Sequence, residues 1–301
     1  MVNVAVLMST YNGEKYLKAQ IESILSQRGD FHLDLCVRDD GSTDRTRAIL
    51  ESYAAEGKLT WYYGENLGPA KSFFDLLYHS PNYEYYAFSD QDDVWFPDKI
   101  QHAISALKEY GDHPSLYFAR GKTVDSDLNE LSQKERTPVL NLQSIAVCSF
   151  AAGCTMLFNK TLAGILRSNS IPNQSIMHDY FVLLLCKAVG GDIFFDDRYV
   201  MYYRQHGNNV IGSVVGVKNK IIDRLKMIFV PCKVSIANQA SEILRLYNEE
   251  VDFPSKKILR CVADYKHRIS CRLKLVLSPK VKSYSCLASF VVKLSLLVGT
   301  R

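Results

Sequence analysis

FSDQDDVW, residues 88–95, places three carboxylates in four positions between aromatic side chains, directly after the apolar run YEYYAF. Neighbouring carboxylates near a protein surface repel by roughly 4 kcal/mol at ~4 Å and an effective dielectric near 20, so such a loop calls for a positive partner. YEYYAF reads as a buried strand, which puts the acidic cluster at a strand's carboxyl end. Working outward, the same arrangement recurs. VNVAVLMS is a β-branched strand followed by one helical face through Leu17, Ile21, Ile24 and Leu25; LDLCV is a second strand, and GSTDRTRAILESY a helix with Ser42 or Thr43 as its N-cap. LTWYY and PAKSFFDLLYHS add a third strand and helix. This alternation is that of a doubly wound, mostly parallel α/β sheet.

In such sheets ligands bind beyond the carboxyl ends of the strands. STYNGEKY, RDDGSTD, GENLGP and SDQDD occupy those four places, and the reading puts them on one rim. Further on, SFAAGCTMLFN reads as a strand bent at Gly153, MHDYFVLLLCKAV as a buried helix entered through an acidic residue, and DIFFDDRYVMYYRQHGNN as a strand ending in a polar loop.

The chain of 301 residues carries a net charge of +4, unevenly distributed. From Val215 onward there are 17 Lys and Arg against 6 Asp and Glu, and before it 19 against 26. A boundary near Gly212 is therefore expected, dividing a domain of residues 1–212 from a basic, mainly helical region, residues 213–301, punctuated by Pro231, Pro254 and Pro279. The segments KNKIIDRLKMIF and YKHRISCRLKLVL mix cations with apolar residues, as do helices on an anionic membrane surface; the alternative is helices packed on the first domain with a solvated basic face. Eight cysteines without a C-x-x-C pair read as reduced packing residues, and the start lacks the pattern of a secretory signal, so a cytoplasmic protein is expected. No recognisable nucleic-acid-binding module accompanies the charge, and nucleic acid is not expected as a partner.

Neither G-x-G-x-x-G nor G-x-x-x-x-G-K-[ST] occurs. An acidic rim suits a phosphorylated ligand when a hard divalent cation with oxygen ligands mediates. VLMSTYNGEKYL, VRDDGSTDRT, NLGPAKSF, FSDQDDVW, MHDYF and YYRQHGNN, in this order over residues 2–212, resemble the inverting, metal-dependent glycosyltransferases of family 2, which have the GT-A fold. SDQDDVW and HDYF are most similar to bacterial rhamnosyltransferase-like members.

The resemblance implies an α/β GT-A sheet with a C-terminal helical extension. It makes Thr10, Tyr11, Asn12, Asp39, Asp40 and Asp90 contacts to the nucleotide, with Asp40 at the base edge and Asp90 at the ribose. It makes Asp92 a ligand of Mg2+ or Mn2+, His206 a neighbour of the metal or diphosphate, Arg204 a positive charge near the phosphates, and Asp179 the base that takes the acceptor's proton. By residue type alone, RDDGSTD is also what a turn and helix cap need, and Asp179 what a helix N-terminus favours. Asp90 and Asp92, two apart, share a side if the segment stays extended. Asp93 serves either the acceptor side or the turn before Pro97. His178 stands where many family members have Glu.

The implied donor is a nucleotide-diphosphate sugar, dTDP-L-rhamnose first and a UDP-hexose as the alternative. The implied acceptor is a glycan or lipid-linked glycan in bacterial cell-surface polysaccharide synthesis, at the inner face of the membrane. Two other readings are a sugar-nucleotide pyrophosphorylase, whose glycine-rich basic first loop STYNGEKY does not match, and a silent sugar-nucleotide-binding scaffold.

Overall fold

The computed structural model describes residues 1–207 and 234–301. The expected boundary at Gly212 and the segment KNKIIDRLKMIF lie outside the described residues. The elements run β1 (Val2–Thr10), α1 (Leu17–Leu25), β2 (Phe31–Asp39), α2 (Thr46–Ala55), β3 (Thr60–Tyr63), α3 (Pro69–His79), β4 (Tyr85–Ser89), β5 (Val94–Trp95), α4 (Lys99–Leu107), β6 (Ser115–Val124), β7 (Leu157–Asn159), α5 (Lys160–Arg167), α6 (His178–Ala188) and β8 (Asp192–Arg204). Then come α7 (Ile236–Leu246), α8 (Phe253–Asp264), α9 (Ile269–Leu277) and α10 (Cys286–Val298). By contacts the chain falls into two units, one of residues 1–134, 151–171 and 191–206, the other of residues 135–150, 172–190 and 207–301.

In the first unit one mixed sheet has the order β3-β2-β1-β4-β7-β6-β8-β5 among the described residues. β1 pairs in parallel with β2 and β4, β2 with β3, and β6 with β8. β7 runs antiparallel to β4 and β6, and β5 to β8. Central position explains the composition of β1: Val4 through Met8 are wholly buried, as a strand covered on both faces requires. Leu17, Ile21 and Ile24 of α1, Ile100 and Ile104 of α4, and Leu35 and Val37 of β2 share one core with Val4, Val6 and Met8.

Three local readings differ from the structure. SFAAGCTMLFN is not one bent strand; Ala152 O accepts hydrogen bonds from both Thr155 N and Thr155 Oγ1, closing a tight turn over Gly153–Thr155, and only Leu157–Asn159 is extended. The helix of GSTDRTRAILESY starts at Thr46 rather than after Ser42 or Thr43, because Ser42 Oγ accepts from Asn12 N and Asp44 Oδ1 accepts from Thr46 N instead. The third is an omission: β6, a ten-residue strand, begins directly after the turn residues Gly111, Asp112 and Pro114 and has no counterpart in the reading above.

The second unit is built around α6. Of its eleven residues only Asp179 and Lys187 escape burial, so the helix is apolar on nearly every side and needs cover all round. The single helical turn Leu142–Ile145 packs on it, and Phe181 meets Tyr247 edge-on at 6.2 Å. α7 and α8 pack together, α7 entered through a reciprocal capping box of Ser235 and Asn238. Residues 135–150 and 172–190 thus group with the C-terminal helices, an interleaving that a linear boundary at residue 212 does not describe.

Asn159 joins three pieces of the first unit. Its Oδ1 accepts from Leu162 N (3.1 Å), capping α5, and from Ser115 N (3.2 Å) at the start of β6, while its Nδ2 donates to His113 O (2.7 Å). Asn159→Ala removes a cap and leaves buried donors unsatisfied, and should lower stability by about 2–3 kcal/mol in urea unfolding. Asn159→Asp, which keeps the cap, should recover part of it.

Candidate active site

The rim at the carboxyl ends of β1, β2, β3 and β4 is cross-tied by its own side chains. Thr10 ends β1 opposite Asp39 and is buried. Tyr11 is held by one side chain from the acidic loop: Gln91 Oε1 accepts from Tyr11 N and Gln91 Nε2 donates to Tyr11 O, both at 2.9 Å. The Tyr11 ring is left 48% exposed on the rim. Asn12 adopts a left-handed backbone (φ 48°), from which its N–H reaches Ser42 Oγ and its Oδ1 accepts from Thr43 N, each at 2.9 Å. Gly13 N donates to Thr46 Oγ1 at 2.8 Å, completing the tie between the first and second loops.

Asp39 and Asp40 are both buried. Asp39 Oδ1 accepts from Ser42 N (3.0 Å) and Arg47 Nε (2.8 Å). Asp40 is ion-paired with buried Arg38 and accepts from Leu67 N (2.9 Å) and Gly68 N (3.0 Å), so it also ties the third loop to the second. The turn chemistry read from RDDGSTD is therefore present, and it locks both carboxylates in orientation.

The acidic loop does not stay extended. It bends at Gln91 and Asp92, so the condition under which Asp90 and Asp92 would share a side is not met. Asp90 instead converges with Asp93 and Cys154, their ligand atoms all within 4.8 Å, while Asp92 turns to the end of β8. Asp92 Oδ2 lies 2.7 Å from His206 Nε2. The His206 ring stacks on Tyr16 at 4.9 Å, and the Arg204 guanidinium lies over the same ring at 4.5 Å. Arg204 is buried and donates from Nε to Asp92 O at 2.7 Å, fixing the backbone of the residue whose side chain faces His206. A carboxylate oxygen and an imidazole nitrogen from two segments meet in the Asp92–His206 hydrogen bond, and both are of the donor types that suit a divalent cation such as Mn2+.

Beneath the loop, Asp93 is wholly buried, its Oδ1 accepting from Arg204 N at 3.1 Å and its carboxylate lying beside Cys154. From this position it braces the loop from inside through Arg204 N. Burial, and then the charges of Asp90 and Asp92, push its carboxyl well above the usual range. Lys99 is buried alongside, its Nζ 3.3 Å from the centre of the Trp95 ring. Burial pulls its ammonium down to about 7, against the opposing pull of Cys154 and Asp93. Gln91, Tyr16 and Lys99 escaped the sequence reading, the first two because a lone Gln or Tyr in a loop has no chemical signature, the third because it looks like an ordinary helix-start lysine.

Asp179 belongs to the second unit, in the first turn of α6, where Oδ1 accepts from Tyr180 N at 2.6 Å. The loop entering that helix is held by two buried side chains of α7: Gln239 Oε1 accepts from Ile176 N (3.0 Å) and Glu242 Oε1 from Asn173 N (2.7 Å).

A sequence profile of Glycosyl transferase family 2 matches residues 5–164. The chain is 29% identical over 229 residues to the dTDP-rhamnosyl transferase RfbG of Shigella flexneri, covering 71% of this chain and 76% of that protein. In fold it is similar to the S. aureus TarS 1–349 structure in complex with UDP-GlcNAc, with a TM-score of 0.56 and 19% identity over 92% of this chain and 77% of that one. It is likewise similar to the mannosyltransferase PcManGT of Pyrobaculum calidifontis in complex with GDP-Man and Mn2+, with a TM-score of 0.54 and 16% identity over 98% of this chain and 74% of that one. The fold is GT-A.

Gln91→Leu should free the Tyr11 peptide from both sides. We expect faster amide hydrogen exchange at Tyr11 and a lower melting temperature, the loss of two ordinary hydrogen bonds together costing about 1–3 kcal/mol. Unchanged exchange at Tyr11 would show that the clamp does not hold the loop.

Proposed function

We propose, for a chain that belongs to glycosyl transferase family 2 and is a glycosyltransferase, that it is inverting and metal-dependent and moves L-rhamnose from dTDP-L-rhamnose to a glycan or lipid-linked acceptor. The observation that carries the metal-dependent reading is the meeting of Asp92 and His206 at 2.7 Å above a buried Asp93. The donor reading is supported by the likeness to a dTDP-rhamnosyl transferase.

In this reading Asp92 and His206 hold Mg2+ or Mn2+, which when bound supplies positive charge to the departing diphosphate. Thr10, Tyr11, Asn12, Asp39, Asp40 and Asp90 form the nucleotide site: Tyr11 offers an exposed ring, Asp40 an orientationally locked carboxylate for the base edge, and Asp90 an acceptor for the sugar of the nucleoside. Arg204 adds positive charge at the phosphate end and holds Asp92 in place. Asp179 takes the proton from the acceptor hydroxyl as that oxygen attacks the anomeric carbon opposite the leaving group. The reaction is placed at the inner face of the cell membrane in cell-surface polysaccharide synthesis, which the basic and apolar C-terminal helices support.

A UDP-hexose is the second donor reading, favoured by the hydroxyl that a ribose offers to Asp90. Thymine's methyl discriminates by only about 1–3 kcal/mol, so the choice between donors depends on the sugar as well. The test is a panel of dTDP- and UDP-sugars with Mn2+ or Mg2+, scored by transfer to a glycolipid extract and by metal-dependent hydrolysis. The expected result is preference for dTDP-rhamnose; preference for a UDP-hexose overturns the donor and spares the transferase.

Asp92→Asn, which removes charge at nearly constant volume, should abolish metal-dependent nucleoside-diphosphate binding in calorimetry without unfolding the protein. Asp179→Asn should keep donor affinity and lower turnover by roughly 10²–10⁴, the contribution of a general base. Near-normal turnover would leave Asp179 only its place at the helix N-terminus.

A further inference from the structure

From Tyr265 to Arg301 the sequence has eight Lys and Arg and no Asp or Glu. These residues form α9 and α10, which pack on each other. Arg272 donates to Leu297 O (3.3 Å) and Tyr265 O (3.2 Å), and Lys293 Nζ to Ser278 O (2.9 Å), so two of the cations tie the hairpin together.

The hairpin nevertheless leaves much of its apolar surface in solvent. On α9, Ile269, Leu273 and Leu277 are spaced four apart, hence on one face, and are exposed, Ile269 by 70% and Leu277 by 74%. On α10, Leu287, Phe290, Leu297 and Val298 are exposed, Phe290 by 63%, while Val291, Val292, Ser295 and Leu296 turn inward. Single exposed leucines are ordinary, but two stripes on adjoining helices call for a partner. Lys274, Lys280 and Lys282 stand exposed on the same hairpin. Exposed apolar stripes among the cations of a segment without Asp or Glu match a surface that is apolar below and anionic above. No helix among the described residues is long and apolar enough to span a bilayer.

We propose that the α9–α10 hairpin docks on an anionic lipid surface, seating Leu273, Leu277, Phe290 and Leu297 at the level of the acyl boundary while Lys274, Lys280 and Lys282 meet the headgroups. This deepens the peripheral placement proposed above and rests on it. Donor binding is read separately, so its failure and that of the transferase reading are distinguishable.

The experiment uses the full chain with phosphatidylglycerol-rich and with pure phosphatidylcholine vesicles. Flotation should show binding to the former, lost at high salt, and little to the latter. Exchanging Lys274, Lys280 and Lys282 for Gln should weaken binding roughly fivefold per charge removed. Phe290→Trp, at an exposed position where folding is not at stake, should report insertion by a blue shift in its emission, taken as the difference from the parent chain, on the anionic vesicles. Phe290→Ser should abolish binding while calorimetry with nucleoside diphosphate and Mn2+ stays unchanged. Absence of vesicle binding, or an unshifted difference spectrum of the Phe290→Trp variant on bound vesicles, overturns the proposal. A concentration-dependent dimer in sedimentation velocity that Phe290→Ser dissociates, without vesicle binding by the parent chain, overturns it in favour of a second copy of this chain.

Discussion

Three carboxylates within four residues at the end of β4 are the constraint around which the first unit is arranged. Left together on one extended segment they would repel one another; the structure turns Asp92 to His206, while Asp90 and Asp93 stay within 4.8 Å of each other beside Cys154. The bend at Gln91 and Asp92 sends Asp92 to His206 and turns Asp93 inward, where it meets Arg204 N and lies near Lys99. This requires the end of β8 to be beside the acidic loop. β8 reaches it through irregular pairing, its register with β6 passing from Phe118 opposite Phe195 to Arg120 opposite Tyr199 and then Gly121 opposite Met201. Extra residues on one strand bend it and increase its twist, which re-aims the side chains beyond the bulge. The two-residue strand β5, pairing with Tyr202 and Met201, then fastens the loop to β8 directly.

Asp179 depends on a different support. α6 is too apolar to stand in water, and the polar loop that leads into it would be free to move without partners for its N–H groups. Gln239 and Glu242 supply those partners from within α7, with Glu242 itself paired to Arg245 at 2.9 Å. Helices that composition marks as a basic tail thus include two residues that fix the entry to the helix carrying the candidate base. A charge count along the chain cannot distinguish such a buried, hydrogen-bonded face from a solvated one, since both carry Lys and Arg on the opposite side.

What the sequence made legible was local. The order of β1 to β4 with α1 to α3 followed from period and length, and the four polar loops followed from that order, because a polar cluster after an apolar run can lie only at a strand's end. Asp92 and His206 were reached through a resemblance over residues 2–212, and the structure brings their side chains to 2.7 Å. The features that stayed hidden are set by distant partners. β6 gains its identity from pairing with β7 and β8; the bend that carries Asp92 to His206 is held at the end of β8; Ser42 leaves the helix cap for Asn12 N. Lys99 is the sharpest case, a lysine beside a proline-led turn that surface rules would place in water and that the structure buries against Trp95 and near Asp93.

The same locking bears on how the rim recognises a ligand. A carboxylate in water is free to rotate and is solvated, and binding must then strip and orient it. Asp40 already accepts from two backbone N–H groups and Arg38, and Asp39 from Ser42 N and Arg47, so their orientation cost is met when the protein folds. An acceptor fixed in advance favours a ligand that presents a donor at one place and disfavours one that does not, which is the geometry a base edge requires. It also limits what these residues can distinguish. Thymine and uracil present the same donor edge, so under the proposed function selection between dTDP and UDP donors would have to arise elsewhere, from the small apolar increment of a methyl near the exposed Tyr11 ring and from the sugar hydroxyls proposed to meet Asp90 and the acceptor side.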